Sequence, residues 1–192
     1  MLKIGTNLSE WSSYSCQPKT DSELKKIIIE RIAEEGTNCD LNDIDTSQMI
    51  DMGGLFIESE FNGDISGWDV SNVKFMNYMF YNSKFTGDIS KWNTSNVEKM
   101  NNMFGYSKFN GDISRWNVSK VNDMTGMFAG SEFNQPIGDW YVSKVKNMCM
   151  MFHKSKFNGD ISKWNIRKNC NTTQMFVWCP IKEEYKPKAL QS

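Results

Sequence analysis

The side chains best placed for chemistry are four aspartates, Asp64, Asp88, Asp112 and Asp160, which hold one place in a sequence block that returns every 24 residues. Stacked copies of the block would set these carboxylates in a column about 4.8 Å apart, the spacing of paired strands. Carboxylates so close repel one another unless neutralised, which is the chemistry of a cation site. The competing reading is local: an Asp at the head of a turn accepts from backbone N–H groups just after it. Pro136 interrupts the column in the fourth full copy, and turn chemistry is the expectation. Trp68, Trp92, Trp116, Trp140 and Trp164 recur just as strictly. They could stack sugars or bases, but strict recurrence is what a core position shows. Asn62, Asn110, Asn134 and Asn158, with Thr86 in the second copy, read as side chains bonded to the backbone at a bend.

Catalysis is poorly supplied. His153 is the single histidine, so a Ser-His-Asp or Cys-His arrangement has one base to draw on, at a repeat position that varies freely. There is no P-loop, no G-x-G-x-x-G and no Cys/His set with zinc spacing. The expectation is a protein that is not an enzyme, with no catalytic residue, no metal and no cofactor. A hydrolase using a metal on the Asp column is the weakest of the readings.

Any such residues must be positioned by the repeat itself. Phe61, Phe85, Phe109, Phe133 and Phe157 open successive copies of F-N-G-D-I-S-x-W-[DN]-V-S-x-V-x-x-M-x-x-M-F-x-x-S. A fixed period in this range predicts units too small to bury their own apolar faces, each stacked on its neighbours. Asp64-Ile65-Ser66 alternates polar and apolar, as a short strand does. Ser71 then sits where a helix N-cap is wanted, followed by Val73, Met76, Met79 and Phe80 at helical spacing. The spacing therefore predicts a strand, a turn and a helix of two to three turns per unit, with Ile65, Ile89, Ile113, Ile137 and Ile161 stacked inside. Leu41, Ile44, Met49, Met52, Leu55 and Phe56 repeat the pattern one period earlier and mark a degenerate first unit. Ahead of it, Asp21-Ser22-Glu23-Leu24 opens an amphipathic helix ended by Gly36, which is what a terminal cap needs. The last unit degrades at Asn169 and Thr172, and Cys179-Pro180 ends it. Ile181 and Tyr185 would cover that end before a loose Lys/Pro tail.

The net charge of −1 is unevenly spread. Residues 1–140 hold 12 Lys/Arg against 20 Asp/Glu, and residues 141–192 hold 10 against 3. The five cysteines, Cys16, Cys39, Cys149, Cys170 and Cys179, are odd in number and contain no C-x-x-C pair, as expected of free thiols in a reducing compartment. No apolar run approaches a membrane span, and residues 1–10 lack a basic region followed by an apolar one. A cytoplasmic protein is expected; with a signal removed ahead of Met1 the same chain would be secreted or surface-bound.

The block quoted above resembles the repeat of the BspA-like leucine-rich-repeat proteins, also found as mycoplasma-type surface lipoproteins. Cys39-Asp40-Leu41-Asn42-Asp43-Ile44-Asp45-Thr46-Ser47, following its helix, is similar to that family's lead-in. The resemblance covers about residues 22–179. It implies an α/β leucine-rich-repeat solenoid of short parallel strands and short helices with an N-terminal capping helix, and a binding role. On that frame residues 1–38 form the N-terminal segment and cap, 39–179 one degenerate and five full repeats, and 180–192 a C-terminal tail. Several members of the family are adhesins for host proteins, but the residues here include no lipobox cysteine, so the binding role alone is carried over.

Positions free of packing constraint diverge between copies, and those are where a partner is expected to be read. Phe75, Tyr78, Tyr81 and Tyr106 place aromatics where packing does not ask for them, and exposed aromatics are typical interface anchors. Lys91 and Arg115 vary beside the strand. Lys144, Lys146, Lys154, Lys156, Lys163, Arg167 and Lys168 form a basic end, either a solvated cap or a surface for an acidic partner. The reading is a non-catalytic protein-interaction module, monomeric or weakly oligomeric, with a protein partner and nucleic acid not expected. The alternative is a small intracellular inhibitor, phage-encoded in one version, of a host nucleic-acid enzyme, suggested by the separated acidic and basic halves.

Overall fold

The computed structural model describes residues 14–191; the N-terminal decapeptide read above for a signal lies outside them. Among the described residues there is one α-helix, α1 (Asp21–Glu35). Thr20 caps it by accepting from the Glu23 N–H, and the Glu23 carboxylate reaches back to accept from the Lys19 N–H just ahead of the helix. Gly36 ends it at φ 91, a backbone angle that an L side chain resists. Leu24 and Ile28 are buried against the first coil of the repeat region. Arg31 ties the other side down through Asp43 at 3.0 Å and the Asp40 carbonyl at 3.2 Å.

The rest of the chain winds in coils that meet at a 24-residue step. Parallel bridges link Asp51, Phe75, Lys99, Asp123, Asn147 and Asn171 in sequence. The N–H groups of Met76, Tyr78, Phe80 and Asn82 donate to the carbonyls of Lys99, Asn101, Met103 and Gly105 at 2.8–3.0 Å. The same four-rung ladder joins every pair of neighbouring coils from Met52 to Val177. It runs through the segment whose apolar spacing predicts a helix, and no helix forms there. Tyr78 and Asn82 have φ 57 and 50, in the left-handed region, and the equivalent residues of each coil do the same. A right-handed helix cannot contain such residues. The residues between the rungs bond three back instead, as Met79 does to Met76 and Tyr81 to Tyr78. A train of three-residue turns brings Val73, Met76, Met79 and Phe80 to one side just as a helix would, which is why the apolar pattern matches both.

The core is a set of columns. Ile65, Ile89, Ile113, Ile137 and Ile161 are all buried. Phe56, Phe80, Phe104, Phe128 and Phe152 stack ring over ring at 5.5–5.8 Å, nearly parallel. Phe61, Phe85, Phe109, Phe133 and Phe157 stack beside them at 6.2–6.4 Å. Trp68, Trp92, Trp116, Trp140 and Trp164 are buried, and each donates its Nε1–H to a carbonyl of the preceding coil, as Trp116 does to Ile89 at 3.1 Å. The ring thus fills a corner and satisfies its polar atom at once.

The C-terminal segment continues this register. Ile181, one period after Phe157, is buried, and the Ile161 N–H donates to the Tyr185 carbonyl at 3.0 Å. Pro187 is buried and Leu190 packs on the core, with short 3-10 turns at Glu183–Tyr185 and Lys188–Leu190. The tail is therefore packed through Leu190, where the Lys/Pro composition suggests a loose one: Ile181, Tyr185 and Leu190 have apolar surface to cover.

Candidate functional site

The turns that carry the variable residues are set by short polar side chains. Asp64, Asp88, Asp112 and Asp160 each accept, through Oδ1, from the N–H two residues on, at 2.8–2.9 Å. That bond, to Ser66, Ser90, Ser114 and Ser162 respectively, is the main reason each carboxyl is held below its ordinary range. The column is occupied with turn chemistry. The asparagine column works between coils: Asn62 Oδ1 accepts from Thr86 N–H, Asn110 from Asn134 and Asn134 from Asn158, at 2.7–2.8 Å.

Between these fixed columns, the ladder segment presents a line of aromatic side chains. Tyr78 is 40% exposed and Tyr106 51%. Tyr81 lies between them, half-buried, with its ring edge-on to both at 5.6 Å. Burial raises the Tyr81 phenol, and the neighbouring Tyr106 and Tyr78 add to it, so it stays a neutral donor. Phe75 sits at the start of the same segment, half-buried, with Lys99 Nζ 5.8 Å from its ring centre.

What holds the rings is legible in the next coil along. The position after Tyr81 in its column is Gly105, and a Cβ there would meet the Tyr81 ring at 3.0 Å. The position after Tyr106 is Gly130, where a Cβ would meet that ring at 2.6 Å. Tyr81 and Tyr106 therefore each lie against a glycine of the next coil, large over small. Gly105 and Gly130 belong to the site, and reading the columns for a bulky residue followed by Gly would have found them. Beyond them the line drops to Gly126, Ala129 and Gly130, then rises again to Met150 and His153, whose ring meets Trp178 at 5.3 Å.

Lys91 and Arg115 are exposed on another side of the coil, at the position of Gly67, where they border shallow hollows with Ser66 and Asp88 or with Ser90, Trp92 and Asp112. They do not join the tyrosines. The basic residues are all exposed but occupy different places round the coil, so they make a belt rather than one patch. Lys156 pairs with Glu132, Lys163 with Asp139 at 3.8 Å, and Lys154 lies over Trp178 at 4.6 Å. His153, at a repeat position that varies freely, is half-buried, with Nδ1 buried and unbonded.

Residues 29–131, and again 84–185, match the family model described as Mycoplasma protein of unknown function, DUF285. No curated protein and no solved structure matches the chain.

Proposed function

The chain belongs to the DUF285 family, and from that premise we propose that it is a non-catalytic repeat solenoid of BspA-like type whose work is to bind another protein through Tyr78, Tyr81 and Tyr106. The observation that carries this is the seating of the three rings. They are joined edge to face at 5.6 Å, Tyr81 and Tyr106 each against a glycine of the following coil, while Tyr78 and Tyr106 remain 40% and 51% exposed. The rings are not required by the core, whose columns are complete without them. A rigid, exposed aromatic row loses little side-chain entropy on binding and supplies the large contact area that interface anchors need. Phe75 and Lys99 extend the row at one end, and Lys91 and Arg115 would meet a partner only if it wrapped round the coil.

The test places a photo-crosslinking phenylalanine analogue at position 78 or 106 and, as a control, at position 120 in the living source cell. The reading expects one protein captured from 78 and 106 and lost when Tyr81 is also changed to Ala. Equal capture from position 120, or capture indifferent to Tyr81→Ala, would remove the aromatic row from the account.

A further inference from the structure

The ladder that joins the coils needs a donor edge on one coil and an acceptor edge on the next, and at the last coil the donor edge is unused. Lys154 is the last residue to use it, donating to Val177 at 2.9 Å. One period on, the N–H groups of Thr172, Gln174, Phe176 and Trp178 stand in the same places, and among the described residues none of them has a partner. The tail does not take that place. It lies over the neighbouring side of the coil, where Lys182 N–H donates to Asn158 Oδ1 and the Ile161 N–H to Tyr185.

The side chains along the edge are equally unfinished. Phe152 is fully buried between its neighbours, but Phe176, next in the column, is half-exposed, with Phe152 stacked at 5.9 Å on one side and Lys186 Nζ at 5.8 Å from its centre. Val177 is exposed and Trp178 is 72% exposed. Lys154 Nζ lies over the Trp178 ring at 4.6 Å, and Lys186, paired with Glu183, lies beside Phe176, in the part of the chain that holds 10 basic residues against 3 acidic.

We propose that this edge is a second binding site, which takes an acidic segment of a protein partner, wound in the same three-residue turns as the chain's own ladder segments, as one more coil side. Carbonyls at alternate residues of the segment would accept from Thr172, Gln174, Phe176 and Trp178. An apolar side chain would complete the column over Phe176, and carboxylates would meet the lysines. The pairing is the strand-addition mode in which backbone bonds supply affinity and the side-chain column supplies choice. Burying these four donors is tolerated only if all four are bonded, which restricts the ligand to a backbone that can repeat the turns of the ladder. The chain's own residues Asp51–Glu58, Asp-Met-Gly-Gly-Leu-Phe-Ile-Glu, have this chemistry. In the folded chain the Asp21 carboxylate at the start of α1 accepts from the Asp51 N–H at 3.3 Å, and Asp51, Gly53, Ile57 and Glu58 are exposed, so association of the chain with itself is an outcome the test must separate.

A labelled synthetic peptide of that sequence is the probe. Fluorescence anisotropy and residue-resolved hydrogen exchange on the full chain should show binding that weakens with salt, with the amides of 172, 174, 176 and 178 slowed about tenfold or more at saturation. Trp178→Ala should weaken binding about tenfold or more, and Lys120→Ala, at an exposed position outside both sites, should leave it unchanged. A scrambled peptide binding equally well, or four amides unaffected by the peptide, would overturn the proposal. So would sedimentation showing that the chain alone associates and protects those amides, which would make a second copy the occupant. None of these outcomes bears on the tyrosine row.

Discussion

Replacing Phe104 by Ala should cost far more than the same change at Phe176, although the two occupy the same place in their coils. Phe104 is fully buried, with Phe80 at 5.6 Å on one side and Phe128 at 5.8 Å on the other. Phe109 at 4.3 Å and Trp116 at 6.1 Å close the remaining directions. A cavity there cannot collapse without pulling two stacked rings out of line. The cost belongs at the upper end of the range for core Phe→Ala changes, about 4–5 kcal/mol, because ring pairs add about 0.5–1.5 kcal/mol each beyond burial. Phe176 stacks on Phe152 alone and is half-exposed, so roughly half the transfer free energy and one ring pair are at stake, about 1–2 kcal/mol. Urea unfolding followed by tryptophan fluorescence and by far-ultraviolet circular dichroism measures both. Stacked repeats couple mainly to their neighbours, so the Phe104 variant should also separate the two probes' midpoints, while the Phe176 variant leaves them coincident. Equal losses in the two variants, within about 0.5 kcal/mol, would refute the picture of rings clamped between coils.

Other consequences follow from single contacts. Gly126→Ala adds a Cβ at φ 59 that would meet Asn102 Oδ1 at 2.4 Å; melting should show a loss of about 1–2 kcal/mol. Gln174→Gly, at φ 56, should raise stability by about 0.5–1 kcal/mol in the same assay, since Gly adopts that backbone angle freely. Trp116→Phe removes the Nε1 donor from the Ile89 carbonyl, which still accepts from the Trp92 N–H at 3.2 Å. The expected loss is therefore about 1 kcal/mol for the bond plus about 1–2 for the missing ring volume. Because the Asp64 carboxyl is held low by the Ser66 N–H, its stabilisation is full above the unfolded carboxylate range and fades as pH falls through the folded value. Asp64→Asn, which keeps an accepting oxygen without the titration, should flatten the acid limb of a stability–pH curve, whereas Asp64→Ala should lower stability at pH 7 and converge on the parent at the acid end.

The parts of the fold that could be read from residue types are those where one chemistry has one solution. A Phe, Ile or Trp returning every 24 residues must face its own kind in the next coil, and these columns are buried. The Asp of each Asp-Ile-Ser triplet closes a turn on itself, as its turn chemistry suggests, whereas the repeated bridges between coils lie at Phe75 and its equivalents and not in the triplets read as strands. The helix expectation failed because Val73, Met76, Met79 and Phe80 present the same apolar face from a helix or from successive three-residue turns. The features that separate the two are the left-handed angles at Tyr78 and Asn82. Only Gly54, Gly126 and Gly130, standing at the same two places in other coils, hint at them in the sequence. The tail's order was hidden because Ile181 and Tyr185 keep the period but replace the residue types that mark it. At the site, the tyrosines stood out as unneeded by packing, but their orientation depends on Gly105 and Gly130, each 24 residues further along and unremarkable alone.

The most direct test of the binding account is the affinity of the captured protein for the parent chain and for a variant carrying Ala at 78, 81 and 106 together, measured by titration calorimetry with unfolding curves run alongside. The account predicts a loss of about 100-fold or more with an unchanged unfolding slope. An unchanged affinity in a folded triple variant would contradict it.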